Sequence, residues 1–134
     1  MLPRSLLRRL PLVLVVTMLV VGLAMADTLV TDLPLEEVGS QRLLYAGPEN
    51  PRAALIMLPG GNGMVEIGMD GSIRNMGESF LLRTLPLWQA QGFAVAVLSP
   101  PNGMSLLGYR HTASYAATIG QAVDFVRNHA NTPV

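Results

Sequence analysis

The sequence of 134 residues has no cysteine, no lysine and only two histidines, His111 and His129. The absence of cysteine excludes disulfides, thiolate metal sites and cysteine nucleophiles. The absence of lysine excludes a phosphate-binding P-loop, whose lysine contacts the phosphates, and it excludes Schiff-base catalysis. Two imidazoles are too few for an ordinary structural zinc site. We therefore expect neither a metal ion nor an organic cofactor.

An excess of positive charge is also lacking. Nine arginines balance nine acidic residues, so the formal net charge is zero. A nucleic-acid-binding protein needs a basic surface that neutralises phosphates. We therefore expect no nucleic-acid partner, and the length of the chain favours a single folded domain.

The first 26 residues have the pattern of an export signal. Arg4, Arg8 and Arg9 precede the apolar stretch from Leu10 to Leu23, and Ala24-Met25-Ala26 is a small-residue cleavage site. The apolar stretch contains a proline and a glycine and is shorter than the roughly 20 residues that span a bilayer. We predict a signal peptide at 1–26 and a mature domain at 27–134, in a bacterial periplasm or outside the cell. An uncleaved membrane anchor is the alternative.

Cleavage after Ala26 predicts that the exported protein begins at Asp27. It keeps six of the nine arginines and all nine acidic residues, which leaves a formal charge of −3 and no stable membrane span. Intact-mass measurement of the exported protein checks this prediction. A membrane-bound form that retains residues 1–26 would contradict it.

Several short segments predict β-strands. Residues 53–58 and 93–98 are continuous apolar runs bounded by turn residues, a pattern typical of strands buried on both faces of a parallel sheet. Residues 40–46 predict a further strand. Residues 27–39 are polar and predict a surface lead-in, and Asp70-Gly71 predicts the turn of a small hairpin.

Two helices are predicted from turn residues and apolar spacing. The first starts near Thr84, has Pro86 in its first turn and ends at Gly92. The second has Thr112 or Ser114 as its candidate N-cap. Its side chains form one apolar stripe at spacings of four, four and three residues, composed of Tyr115, Ile119, Val123 and Val126.

The glycine-rich segment Pro59-Gly60-Gly61-Asn62-Gly63 follows the 53–58 strand. With the helices and strands behind it, residues 40–134 resemble the N-terminal half of an α/β-hydrolase domain. In that family a Gly-rich loop after the third strand supplies a backbone N–H to the oxyanion hole, although His commonly stands where Pro59 is here. The resemblance implies a partial three-layer α/β fold with a parallel sheet and flanking helices.

The same resemblance implies roles for the loop residues. The backbone N–H groups of Gly61 and Asn62 would bind the oxyanion, while Gly60 and Gly63 would shape the loop. A dinucleotide-binding G-x-G-x-x-G pattern fails at its last position, where Glu66 stands. A tight glycine turn with no role beyond connecting two segments remains open as an alternative.

The family's nucleophile elbow, G-x-S-x-G, is absent. Two near matches place Ser79 in Gly-Glu-Ser-Phe-Leu and Ser105 in a segment one residue too long. We predict structural roles for both serines, because the elbow needs a strand-to-helix turn. Family chain order puts the catalytic His after the elbow, so we expect His129 to interact with its helix end and His111 to be a solvent-exposed flank.

These observations leave two functional hypotheses. The resemblance implies hydrolysis of a small ester-like substrate by a protein that includes a C-terminal half, with this truncated chain inactive alone. The alternative is a secreted, non-catalytic binding or interaction module. Residues 131–134 predict the start of another strand, and an open sheet edge there predicts self-association.

Overall fold

A computed structural model describes residues 27–36, 39–75 and 79–134. The predicted signal peptide at 1–26 lies outside the described residues, as do Gly77 and Glu78 of the first near match. Within the described ranges, no helix is long and apolar enough to cross a membrane.

The core of the molecule is a four-stranded sheet. Its strands are β1 (Asp27–Pro34), β2 (Ser40–Gly47), β3 (Ala54–Met57) and β4 (Ala94–Leu98), in the spatial order β1-β2-β4-β3. β1 is antiparallel to β2, β2 is antiparallel to β4, and β3 is parallel to β4. The predicted three-layer, α/β-hydrolase-like parallel sheet is therefore wrong, because the sheet is small and mixed. A short connection between β1 and β2 allows only a hairpin, since parallel strands need a long crossover.

β1 occupies most of the segment predicted to be a surface lead-in. Its eight residues pair in register with β2, from Asp27 opposite Gly47 to Pro34 opposite Ser40. Leu33 is its one buried side chain, so the strand lacks the apolar alternation that would have indicated it. Backbone pairing holds β1 in place.

An ion pair also joins β1 to β2. Arg42 donates two hydrogen bonds to the Asp32 carboxylate, at 2.7 and 2.9 Å, and a third to the carbonyl of Ile67. The hydrogen bonds from Arg42 hold the pKa of the Asp32 carboxyl below its usual value. Arg42 therefore ties the first hairpin of the sheet to the loop region that follows β3.

Three α-helices, α1 (Phe80–Arg83), α2 (Leu85–Ala90) and α3 (Ala113–Ala130), and a short 3₁₀ helix, Pro101–Gly103, complete the described structure. The prediction of a helix from Thr84 to Gly92 is confirmed, because α2 has Thr84 as its N-cap, Pro86 in its first turn, and Gly92 just beyond its end with φ +83°. Thr112 is the N-cap of α3, and its hydroxyl accepts a hydrogen bond from the Tyr115 N–H at 3.1 Å.

Apolar side chains cover both faces of the sheet. On β4, Ala94, Ala96 and Leu98 face α3, while Val95 and Val97 face the opposite side. The second face packs against three side chains from the segments that follow β3, namely Val65, Ile67 and Leu82. This alternation explains why residues 93–98 form a continuous apolar run.

The buried stripe of α3 differs from the predicted one. The fully buried positions after Tyr115 are Thr118, Ala122 and Val126, whereas Ile119 and Val123 are half-buried. Small side chains at Ala122 and on β4 let the helix approach the sheet closely, so the helix turns its smaller residues inward. The stripe prediction was correct at its two ends and wrong in its middle.

Candidate functional site

The glycine-rich loop, residues 59–63, follows the carboxyl end of β3. The Gly63 N–H donates to the Gly60 carbonyl at 3.0 Å, which closes a turn. Gly61, the second residue of that turn, has φ +57°, a conformation that favours glycine. The Asn62 side-chain oxygen accepts the Met64 N–H at 3.1 Å. The loop thus has a defined backbone conformation that depends on glycine at 61.

A later segment of the chain binds the carbonyl groups of this loop. The Arg110 guanidinium donates hydrogen bonds to the carbonyls of Pro59 and Gly61, the latter at 3.1 Å. The Leu106 N–H donates to the Asn62 carbonyl at 2.8 Å. Three loop carbonyls are therefore held against the segment from 106 to 110.

Three backbone N–H groups of the loop have no partner among the described residues. In the part of the chain that the structure describes, the N–H groups of Gly60, Gly61 and Asn62 have no hydrogen-bond partner, and all three residues are exposed. The two predicted donors, Gly61 and Asn62, are thus both available to a ligand. Gly60, predicted only to shape the loop, offers a third N–H.

The direction of these N–H groups follows from the carbonyls. The described peptide bonds are all trans, and in a trans peptide the C=O and the following N–H point in opposite directions. Because Arg110 binds the carbonyls of Pro59 and Gly61, the N–H groups of Gly60 and Asn62 point away from Arg110 on a common side. The Gly61 N–H belongs to a different peptide, whose carbonyl accepts the Gly63 N–H.

The room for a side chain differs between the glycines of the loop. A Cβ atom on Gly63, where φ is +69°, would lie 2.4 Å from Leu106 Cδ1 and 3.2 Å from a guanidinium nitrogen of Arg110. A Cβ atom on Gly60 or Gly61 would meet nothing within 4 Å. Gly63 therefore allows the close contact with the 106–110 segment, and the exposed side of the loop is accessible.

Arg110 places a positive charge beside the loop. Arg110 forms no ion pair with a carboxylate in residues 27–36, 39–75 and 79–134, unlike Arg42 with Asp32 and Arg74 with Glu66. The sequence from 79 to 123 contains no acidic residue. Among the described residues the half-buried guanidinium hydrogen-bonds to carbonyl groups and forms no ion pair, so its positive charge beside the loop favours an anion there.

The two near-match serines have structural contacts. Ser79 is the N-cap of α1, and its hydroxyl accepts the Leu82 N–H at 3.4 Å. The Ser105 hydroxyl accepts the Leu107 N–H at 3.3 Å. Both contacts agree with the predicted structural roles.

The histidines lie elsewhere. His129 is in the last turn of α3, as predicted, with its Nε2 3.4 Å from an Asp27 carboxylate oxygen and its ring edge-on to Tyr45. His111 is exposed. Among the described residues neither histidine is hydrogen-bonded to a serine, and no group of three or more His, Asp or Glu side chains could hold a metal ion.

A cavity of about 190 Å³ lies between α3 and the segment that follows β4. Its walls include Met104, Tyr109, Thr118 and Gln121. The loop residues 59–63 are not among its lining residues. The loop therefore presents its N–H groups at an open surface rather than inside this cavity.

No family model, curated protein or solved structure matches the chain. The loop itself is therefore the feature that points to a function. Sequence reasoning identified the loop but missed Arg110 and Leu106, which hold it. The available signal was that Arg110 stands in a stretch without acidic residues, where an arginine has no nearby carboxylate to pair with.

Proposed function

We propose that this chain contributes the oxyanion-binding loop of an enzyme that hydrolyses esters or related acyl compounds, as its resemblance to α/β-hydrolases implies. One observation carries the proposal: the N–H groups of Gly60, Gly61 and Asn62 are exposed and have no hydrogen-bond partner among the described residues. Acyl hydrolysis passes through a tetrahedral intermediate with a negatively charged oxygen. Each N–H already aimed at that oxygen lowers the barrier by about 3 kcal/mol.

The position of the loop in the chain supports this proposal. It follows the third strand, β3, and precedes the first helix, α1, as the oxyanion loop does in the family. Gly61 and Asn62 are the donors predicted from the sequence, whereas the peptide directions place the N–H groups of Gly60 and Asn62 on a common side. Asn62 belongs to both pairs. Arg110 adds positive charge behind these donors.

The proposed activity needs groups that the loop does not supply. A serine nucleophile requires a base within hydrogen-bond reach, and Ser79 and Ser105 hydrogen-bond to backbone N–H groups instead. We therefore propose that a small ester-like substrate is turned over only when a nucleophile-bearing half completes the site. No cofactor enters this scheme.

Titration with sodium acetate, followed by amide resonances of the ¹⁵N-labelled protein, tests the loop directly. We expect saturable shifts of Gly60, Gly61 and Asn62, with a dissociation constant near 1 mM, about 4 kcal/mol of binding free energy. Sodium phosphate distinguishes a carboxylate preference from general anion binding. Sodium chloride at equal ionic strength is the control for the effect of salt, and the amide of the exposed helical Gly120 is the control for shifts outside the loop. Shifts of the loop amides in chloride equal to those in acetate would overturn the proposal.

A non-catalytic interaction module is the second candidate, and the open edge of the sheet favours it. β3 is an outer strand. The Ala54 N–H donates to the Pro133 carbonyl at 2.9 Å, and the Thr132 hydroxyl donates to the Pro51 carbonyl at 3.2 Å. Residues 132–133 therefore lie beside the start of β3, and among the described residues the rest of that edge is available for strand pairing.

The two candidate functions predict different DNA sequences after the Val134 codon. Codons after that for Val134 that encode a strand and then G-x-S-x-G, within roughly ten residues, would favour the hydrolase. Their absence in all frames would favour the interaction module.

A further inference from the structure

We infer that Arg110 is a positioning residue, one that sets the direction of the loop N–H groups and so controls oxyanion binding. The inference rests on the proposed function and assigns a role to a residue outside the loop. Arg110 lies 49 and 51 positions from the two residues whose carbonyls it binds, Gly61 and Pro59. It acts through the backbone and does not touch the oxyanion.

Two peptide units of the loop link Arg110 to the N–H groups. Each carbonyl that Arg110 binds belongs to the same peptide unit as one of the N–H groups on the common side, those of Gly60 and Asn62. Peptide planarity makes each unit move as a rigid plate. One guanidinium therefore fixes the orientation of two donors at once.

Without Arg110, little would restrict backbone rotation at the loop glycines. Gly60 and Gly61 have no side chain to restrict rotation, and nothing lies within 4 Å of their Cβ positions. Glycine loses more conformational freedom on ordering than any other residue. The Gly63 N–H holds the Gly60 carbonyl within the loop, and the Pro59, Gly61 and Asn62 carbonyls are held from outside it by Arg110 and Leu106. The two N–H groups on the common side therefore depend on these outside contacts for their direction.

Arginine suits this contact better than lysine does. Both hydrogen bonds to the loop come from one terminal nitrogen of Arg110, Nη2, whose N–H groups are held in the plane of the guanidinium, whereas the ammonium of lysine rotates on a flexible stem. Arg110 has no carboxylate partner within the described residues, so no ion pair competes with the loop for its N–H groups. Hydrogen bonds from a charged donor are stronger than those between neutral groups.

The test compares Arg110→Met, Arg110→Lys and Arg83→Met in the acetate titration. Arg83 is exposed on α1 and has no side-chain hydrogen bond or ion pair within the described part of the chain, so it is a matched control for loss of one positive charge. We expect the acetate dissociation constant to rise about tenfold for Arg110→Met, to rise less for Arg110→Lys, and to stay unchanged for Arg83→Met.

Thermal unfolding of each variant separates positioning from stability. A purely structural role would lower the melting temperature of Arg110→Met without changing acetate affinity in the folded protein, and that outcome would overturn the inference. If the wild-type protein does not bind acetate, the proposed function fails, and hydrogen exchange decides on Arg110 independently. Faster exchange of the Gly63 N–H in Arg110→Met than in Arg83→Met is then expected, and equal rates contradict the inference.

Discussion

Replacement of Gly47 by alanine is expected to destabilise the fold by about 3 kcal/mol, the upper part of the range for overpacked cores. Gly47 ends β2 and is buried against β4. A Cβ atom on Gly47 would lie 2.6 Å from both Cα and Cβ of Ala94. Ala94 is fully buried and paired with β3, so neither atom can move without shifting the centre of the sheet.

Urea unfolding followed by circular dichroism measures this effect, with Gly120→Ala as the control. Gly120 lies inside α3, is exposed, and has nothing within 4 Å of its Cβ position. Alanine there is expected to stabilise the protein by about 1 kcal/mol, because alanine has the higher helix propensity. Equal unfolding midpoints for Gly47→Ala and wild type would mean that β2 does not pack on β4 as described.

Features determined by neighbouring residues were predicted correctly from the sequence. Pro86 and Gly92 mark the start and the end of α2. The predicted hairpin at Asp70-Gly71 is confirmed by the antiparallel bridge between Ile67 and Ile73. Each of these depends on backbone preferences that a few residues establish by themselves.

Features that depend on distant pairing were not predicted. β1 has one buried side chain, so its polar sequence carries no strand pattern. Whether β2 runs parallel or antiparallel to β4 depends on which strands are neighbours in the sheet. Apolar runs in the sequence do not indicate those neighbours. A continuous apolar run shows that both faces are covered, but it does not show whether the neighbouring strand is parallel or antiparallel.

The candidate site also combines a feature that the sequence predicts with one that it does not. Three glycines in five residues indicate an unusual backbone, and the structure gives positive φ values at Gly61 and Gly63. The contact from Arg110 spans about fifty positions, and the acid-free stretch around Arg110 indicates an arginine without a nearby carboxylate but not which residues it contacts. The loop could therefore be predicted from the sequence, whereas its support required the structure.

Residues 27–134 alone are expected to show no serine-dependent ester hydrolysis. The hydroxyls of Ser79 and Ser105 accept backbone hydrogen bonds, and within the described residues no histidine is bonded to either serine to remove its proton. A small chromogenic acyl ester, assayed with wild type, Ser79→Ala and Ser105→Ala, should give three equal rates. Activity that vanishes in one serine variant would overturn the assignment of both serines to structure.

The same protein is expected to self-associate through the β3 edge. Beyond Ala54 this edge is unpaired in the described residues, and exposed apolar side chains such as Phe80 (76% exposed) and Leu87 (66%) add surface that favours burial. Leu58 directly follows β3 and is 38% exposed, so Leu58→Lys places a charge at the edge, which opposes strand pairing. Sedimentation velocity should show oligomers for wild type and a larger monomer fraction for Leu58→Lys. A wild type that is monomeric at all concentrations would contradict edge pairing, because the free edge would then attract no second strand.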